Sequence, residues 1–132
     1  MNRGATGLLL FAHGARDPAW GAPFEAVRCR CAAAEPQRPV ALAFLEFMSP
    51  DILQAGAALA AQGCTVVDVV PLFLGVGGHV RKDIPRLLSA LGVAHPGVQW
   101  RLCRSIGEDA QVIAAMAAAA RAPAPLQEDD PR

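Results

Sequence analysis

Short continuous apolar runs alternate along the chain with stretches in which apolar residues recur every three or four positions. The runs cover residues 7–12, 39–47, 65–74 and 98–103, and they are typical of strands buried on both faces. The stretches that follow each run predict four helices. This βαβαβαβα order predicts an α/β fold, a three-layer sandwich around a four-stranded parallel sheet.

Capping residues predict where the helices begin and end. Asp17 and Ser49 are each followed by proline. In such a dipeptide the first residue is typically the N-cap and the proline the first helical residue. Gly63 is predicted to end the second helix and Gly92 the third. Because Pro85 is tolerated only in a first turn, we expect the third helix to begin at position 82 or 83. The last helix is predicted over residues 108–121.

Composition narrows the class of protein. The chain has 132 residues, of which 53% are hydrophobic and 18% charged, as expected of one globular domain over 1–121. Residues 122–132 are rich in proline, alanine and acids and are predicted to be disordered. The formal net charge is zero, which argues against a nucleic-acid partner.

Neither a membrane location nor a cysteine-based metal site is expected. No apolar run approaches the roughly 20 residues needed to cross a bilayer, and no signal peptide precedes the first strand, so we expect a cytoplasmic protein. The four cysteines, at 29, 31, 64 and 103, form no C-x-x-C pair. Reduced thiols are therefore the expectation.

Three side chains able to bind a metal stand at the ends of successive predicted strands. His13 follows the first strand, Glu46 closes the second and His79 follows the third. Ligands of parallel α/β sheets bind outside the carboxyl ends of the strands, so these residues are predicted to share one rim. Imidazole together with carboxylate suits iron, cobalt, nickel and zinc. The three residues predict a site that handles a divalent metal.

Other interpretations of these residues stay open. Each histidine alone is more often structural than a ligand, and Glu46 could form a salt bridge. The glycine-rich turn, G-V-G-G at 75–78, is not G-x-G-x-x-G and has no G-K-[ST] after it, which disfavours a nucleotide site. No nucleophile adjoins His13, which disfavours a hydrolytic triad. His95 is predicted at the opposite end of the sheet.

Basic residues accompany the first and third of these loops. Arg16 lies in the first loop, and Arg81 and Lys82 follow His79. A solvated helix start explains such residues equally well. If they bind a ligand, they suit one that carries several carboxylates, which arginine grips in a bidentate manner.

Three motifs in register resemble those of the sirohydrochlorin chelatases, which are class II, ATP-independent tetrapyrrole chelatases. They are LLFAHGARDP at 9–18, LEFMSP at 45–50, and VPLFL at 70–74 with GGHVRKDIP at 77–85. The resemblance implies a chelatase-like fold of flavodoxin-like topology. It implies insertion of Co²⁺, Fe²⁺ or Ni²⁺ into sirohydrochlorin without a nucleotide, in cobalamin or sirohaem biosynthesis.

The resemblance also assigns roles. His13 and His79 match the metal-binding histidines of the family and Glu46 its acidic partner. Gly77 and Gly78 are expected to give clearance for a flat macrocycle. A chain of this length resembles the short form, which works as a homodimer. One departure is Ala15, which replaces the usual serine. The alternatives are a metal or tetrapyrrole carrier without turnover, and a nucleotide-binding flavodoxin-like domain.

Overall fold

A computed structural model describes residues 4–130 and shows an α/β fold with one parallel sheet. The strands, in the order β2-β1-β3-β4, are β1 Ala5–Ala12, β2 Val40–Phe44, β3 Cys64–Pro71 and β4 Gln99–Leu102. The helices are α1 Ala22–Ala34, α2 Ile52–Ala61, α3 Gly78–Ala94 and α4 Ala110–Arg121, with 3-10 turns at Pro18–Gly21 and Ile106–Glu108. The predicted fold class and parallel sheet are confirmed.

The core lies on both faces of the sheet because successive strand residues point in opposite directions. Leu9 and Phe11 of β1 pack with residues of α2 and α3, among them Leu59 and Leu91, on one face. The next residues along β1 face the other side, which α1 covers. Complete burial of Leu9, Leu59 and Leu91 removes their apolar surface from water, about 2 kcal/mol for each side chain.

The fourth helix, like α1, has no buried residue. Ile113 and Met116 are 55% and 47% exposed. Residues 122–130, which follow it, contain no helix or strand, and the disorder predicted for the tail stays a prediction. In the part of the chain that the structure describes, no helix combines the length and the apolar character that a membrane span requires.

Two predicted boundaries around the second strand are wrong. The strand ends at Phe44, so Glu46 lies in the following loop and does not close the strand. Asp51, not Ser49, caps α2: its carboxylate accepts a hydrogen bond from the Gln54 backbone, and the Gln54 side chain accepts one from the Asp51 backbone. This reciprocal capping box satisfies two backbone donors at once, whereas a serine cap at position 49 would satisfy one.

The predicted limits of the third helix are also wrong. α3 begins at Gly78, four or five residues earlier than expected, and it continues past Gly92 to Ala94. Pro85 therefore lies inside the helix, where it removes one backbone hydrogen bond. Ile84 and Leu91 are buried on the same face of α3, and this packing outweighs the local preference of proline.

The other boundaries agree with the prediction more closely. Asp17 accepts a hydrogen bond from the Ala19 backbone and caps a 3-10 turn that leads into α1. Gly63 has a φ of 90° just after α2, the left-handed conformation expected of a glycine terminator. The last helix begins at Ala110, two residues after the predicted start, because Asp109 is its cap. The predicted third strand stops at Pro71 and not at Leu74.

Candidate metal site

The strand order places a switch point between β1 and β3. The chain leaves β1 for α1 on one face of the sheet and leaves β3 for α3 on the other face, so the loops after β1 and β3 diverge at this point. Crevices of this kind are the usual ligand sites of open α/β sheets. His13 directly follows β1 and faces the crevice.

The structure brings His13 and Glu46 together. The Nδ1 atom of His13 lies 3.2 Å from the Oε1 atom of Glu46. The segments that carry the two residues also pair through their backbones at the end of β1: the Leu45 amide donates to the Ala12 carbonyl at 2.8 Å. A Cβ atom at Gly14 would overlap the carbonyl oxygen of Glu46, so only glycine permits this close approach.

Two further contacts orient His13. Its ring lies 4.4 Å from the ring of Phe73, which follows β3, measured between centroids. Its carbonyl oxygen accepts a hydrogen bond of 2.7 Å from the Trp20 indole. The side chain nevertheless remains 42% exposed, against 35% for Glu46. The pair is thus held by both neighbouring loops and is still accessible to a ligand.

The pairing has a chemical consequence for the imidazole. A neutral His13 that donates from Nδ1 to the Glu46 carboxylate carries its lone pair on Nε2. A carboxylate in this position also makes the imidazole a better donor to a metal. In this tautomer Nε2 of His13 would be free to bind a metal, and the role of the pair as metal ligands stays a prediction.

His79 lies apart from this pair. It occupies the first turn of α3 and is exposed. Within residues 4–130, no three His, Cys, Asp or Glu side chains form a group that could hold a metal ion. The structure unites two of the three predicted donors, and the participation of His79 stays a prediction.

The cysteines do not add to the site. All four are free, as expected. Burial raises the pKa of the Cys64 thiol and is the main cause of the raised pKa of Cys103. A thiol that keeps its proton is a poor metal ligand, because the thiolate is the form that binds.

Phe47 is a feature of this region that sequence reasoning missed. Its backbone is left-handed, with a φ of 68°, and its ring is 64% exposed. The guanidinium of Arg16 lies over this ring, 5.1 Å from the centroid. A bulky residue in this conformation costs about 1–2 kcal/mol. An exposed aromatic at a strained position beside His13 and Glu46 has no role in the core.

The remaining predicted ligand-binding residues lie at the start of α3. Gly77 is its N-cap and Gly78 its first residue, and Arg81 and Lys82 are exposed in the next turn. A Cβ at either glycine would meet no atom within 4 Å, and neither has a positive φ. Nothing inside the described protein requires glycine at these positions, which is consistent with clearance for an external ligand.

An apolar groove of about 790 Å³ opens beside His13. It lies between α1 and the segments that follow β3 and β4, and its walls include Phe24, Leu72 and Val112. Phe11, near the end of β1, is 1% exposed and belongs to the core, not to this groove.

Comparison with known proteins identifies the family. A family model described as CbiX matches residues 7–122. The chain belongs to the CbiX family. The chain is 35% identical over 69 residues to the sirohydrochlorin cobaltochelatase of Sulfurisphaera tokodaii, covering 52% of this chain and 54% of that protein. It is 36% identical over 89 residues to the sirohydrochlorin cobaltochelatase of Saccharolobus islandicus strain L.S.2.15, covering 65% and 66%.

Solved structures give the same family and fold. A CbiX protein of Marinobacter aquaeolei VT8 superimposes with a TM-score of 0.77 at 31% identity, covering 89% of this chain and 95% of that one. The sirohydrochlorin chelatase SirB of Bacillus subtilis subspecies spizizenii, in complex with cobalt, gives a TM-score of 0.71 at 28% identity. That match covers 86% of this chain and 49% of SirB.

The chain thus spans between a half and two thirds of the curated CbiX-family relatives that it matches. It corresponds to about half of the SirB chain and to nearly all of the Marinobacter protein. The family resemblance recognised from the three motifs is confirmed.

Proposed function

We propose that this CbiX-family protein inserts a divalent metal into sirohydrochlorin without a nucleotide, with His13, Glu46 and His79 as the metal-handling residues. The observation that carries the proposal is the hydrogen bond between His13 and Glu46, which joins the loops after β1 and β2 at the carboxyl edge of the sheet. The names of the relatives and the cobalt complex of SirB support the reaction class.

The pair suits both requirements of metal insertion. The metal must be held weakly enough to leave, and two pyrrole protons must be accepted as it enters the ring. His13 presents one neutral nitrogen to the metal, and Glu46 adds negative charge without enclosing it. After transfer, the imidazole and the carboxylate are both bases within reach of a pyrrole proton. His79, from the start of α3, is the third donor in this proposal.

The surroundings suit a large, flat, acidic substrate. Gly77 and Gly78 leave open space next to His79. Arg16 stands over the Phe47 ring on one side of the pair, while Arg81 and Lys82 extend from α3 on the other. Guanidinium and ammonium groups on both sides can bind carboxylates at the edge of the macrocycle.

A spectroscopic assay tests the proposal. Purified protein is mixed with sirohydrochlorin and Co²⁺ in the absence of ATP, and the visible spectrum is followed against a reaction without protein. We expect product to exceed the protein concentration many times over. Parallel reactions with Fe²⁺ and Ni²⁺ determine which metals are accepted. A rate equal to that of the protein-free reaction would exclude the proposed activity.

The carrier without turnover is the second candidate. Two observations favour it: Ala15 stands where the family has serine, and only two of the three donors lie together in residues 4–130. A carrier would change the spectrum only up to one equivalent of protein, so the same assay separates the two functions.

The assembly belongs to the proposal as well. Because the chain corresponds to 49% of SirB, a homodimer would supply two copies of the unit that the match covers. Sedimentation or light scattering of the purified protein measures this directly. We infer a role in cobalamin or sirohaem synthesis, in the cytoplasm, with no nucleic acid or membrane partner.

A further inference from the structure

We propose that Arg81, Arg104 and Ser105 form a carboxylate-binding subsite that receives one peripheral acid group of the tetrapyrrole. This inference rests on the proposed function and names a contact beyond it. A separate cavity of about 390 Å³ lies between the start of α3 and the loop after β4, and these three residues line it. Sequence reasoning singled out Arg81 but gave Arg104 and Ser105 no role.

Arg81 and Arg104 are two of the five arginines within residues 4–130 that have no carboxylate partner. Four arginines lie within 4.0 Å of a carboxylate: Arg28, Arg38, Arg86 and Arg101. Neither Arg81 nor Arg104 has such a partner within residues 4–130. The contact that Arg81 does make is a long one, 3.5 Å to the carbonyl of Val76. Both exposed residues line the cavity, and neither guanidinium is paired with a carboxylate within residues 4–130.

Ser105 adds a hydroxyl group to the lining of the cavity. The residue as a whole is only 7% exposed. It precedes the 3-10 turn at Ile106–Glu108 in the N-cap position, yet its hydroxyl makes no capping hydrogen bond there. Its hydroxyl is thus free to contact a ligand in the cavity that the residue lines. A carboxylate in the cavity would accept from this hydroxyl and from both guanidinium groups.

The subsite is connected rigidly to the metal pair. The Gly107 amide donates to the carbonyl of Phe73 at 3.0 Å, and the Phe73 ring in turn packs on His13. A Cβ at Gly107 would overlap the carbonyl oxygen of Leu74, so the loops after β3 and β4 can lie this close only with glycine. A ligand acid held by Arg104 and Ser105 is thereby fixed relative to His13.

The position fits a ligand that spans the rim of the sheet. Arg16 and Phe47 flank the pair on the β2 side, and the subsite lies on the β4 side. Strands in a sheet lie about 4.8 Å apart, so β2 and β4 are separated by roughly 14 Å. Acid groups on opposite edges of one macrocycle can therefore contact both positions while the ring nitrogens face His13.

Glu108 also lines the cavity and opposes anion binding. Its carboxylate is exposed, so its repulsion is partly screened by water. Neutralising Glu108 should therefore strengthen ligand binding, whereas neutralising Arg104 should weaken it.

The test measures metal insertion and tetrapyrrole binding in parallel. For Arg104→Gln we expect the KM for sirohydrochlorin to rise about tenfold, because one charge-assisted hydrogen bond to the substrate is lost. The kcat should stay within about twofold of the parental value. Arg104→Lys should recover part of the affinity. Glu108→Gln should lower the KM severalfold. Arg121→Gln, an equal charge change in the last turn of α4, is the matched control and should leave the KM unchanged.

Binding without turnover keeps this inference distinct from the proposed function. Fluorescence titrations compare uroporphyrin, which has eight carboxylates, with coproporphyrin, which has four. We expect Arg104→Gln to weaken uroporphyrin binding more than coproporphyrin binding. If the parent protein inserts no metal, the proposed function fails, and these titrations still test the subsite.

Two results would overturn the assignment. One is an unchanged KM and unchanged uroporphyrin affinity in Arg104→Gln and Glu108→Gln. The other is that inorganic phosphate stabilises the parent but not Arg104→Gln, while the two proteins bind uroporphyrin equally well. The cavity would then be a site for a small free anion.

Discussion

His13 Nδ1 lies 3.2 Å from Glu46 Oε1, and this contact joins the loops that follow β1 and β2. The two residues are 33 positions apart in the sequence. In the proposed site, this hydrogen bond would determine which imidazole nitrogen faces the metal and would keep a carboxylate next to that imidazole. The proposed chemistry of the site depends on this relationship.

Glu46→Gln should lower kcat/KM for cobalt insertion by about 10- to 100-fold. A neutral amide neither adds negative charge nor fixes the imidazole as a carboxylate does, and losses of this size are usual for such partners of metal-binding histidines. Steady-state kinetics with sirohydrochlorin and Co²⁺ measure the effect. Glu128→Gln, in the exposed tail, is the charge-matched control. Equal kinetics for both variants would contradict the role of Glu46.

His79→Ala should abolish metal insertion and leave the fold intact. The side chain is exposed, and surface substitutions of this kind change the free energy of unfolding by less than about 0.5 kcal/mol. Thermal unfolding and the cobalt assay are measured on the same sample. His95→Ala, at the C-terminal end of α3, is the control and should retain activity. Cobalt insertion by His79→Ala at the parental rate would remove His79 from the site.

Gly78→Ala should stabilise the protein while impairing substrate binding. Alanine is favoured over glycine in a helix by up to about 1 kcal/mol, and its Cβ meets no protein atom at this position. The same methyl group would occupy the clearance proposed for the macrocycle. Gly92→Ala, also in α3 and also unobstructed, should raise stability without changing the KM. Indistinguishable KM values for the two variants would show that the space at Gly78 is not used.

Phe47→Gly should be more stable than Phe47→Ala by about 1 kcal/mol. Both variants lose the ring and its contact with Arg16, but only glycine adopts a φ of 68° without strain. Urea unfolding of the two variants measures the difference. If the alanine variant is at least as stable, the left-handed conformation does not persist in solution.

Acid should destabilise the protein in part through Asp68. Arg101 donates to its carboxylate at 2.6 and 3.1 Å, and this hydrogen bonding is the main reason why the pKa of Asp68 lies below its ordinary value of 3.8. A lowered folded pKa contributes stability that is complete above the unfolded value and is lost as the pH falls through the folded one. The loss is therefore expected below about pH 4.

Asp68→Asn isolates this contribution. Unfolding free energies measured between about pH 6 and pH 2.5 should fall less steeply in the variant than in the parent at the acid end. Asp129→Asn, in the exposed tail, should follow the parental curve. Parallel curves for parent and Asp68→Asn would show that the ion pair with Arg101 does not form in the folded protein.

Some local boundaries could not be read from the sequence because each depends on distant packing. The predicted start of α3 depends only on the preference of proline for the first turn of a helix. In the structure, the burial of Ile84 and Leu91 outweighs that preference. Glu46 was placed in a strand because its neighbours are apolar, whereas the strand ends at Phe44. The strained Phe47 carries no sequence signal, since left-handed residues are normally recognised by glycine or asparagine.

The alternation of apolar runs and amphipathic stretches was sufficient by itself to predict the parallel sheet, and His13, Glu46 and His79 could be expected at one edge because parallel strands all end there. The apolar pattern does not predict the order of the strands in the sheet, because a buried strand has the same pattern whichever strands lie beside it. Only the family resemblance implied that order. Only the tertiary structure brought His13 to Glu46 while leaving His79 out of their group, and showed that Arg81, Arg104 and Ser105 line one cavity. Such contacts depend on how loops far apart in the sequence pack, and local periodicity carries no information about that.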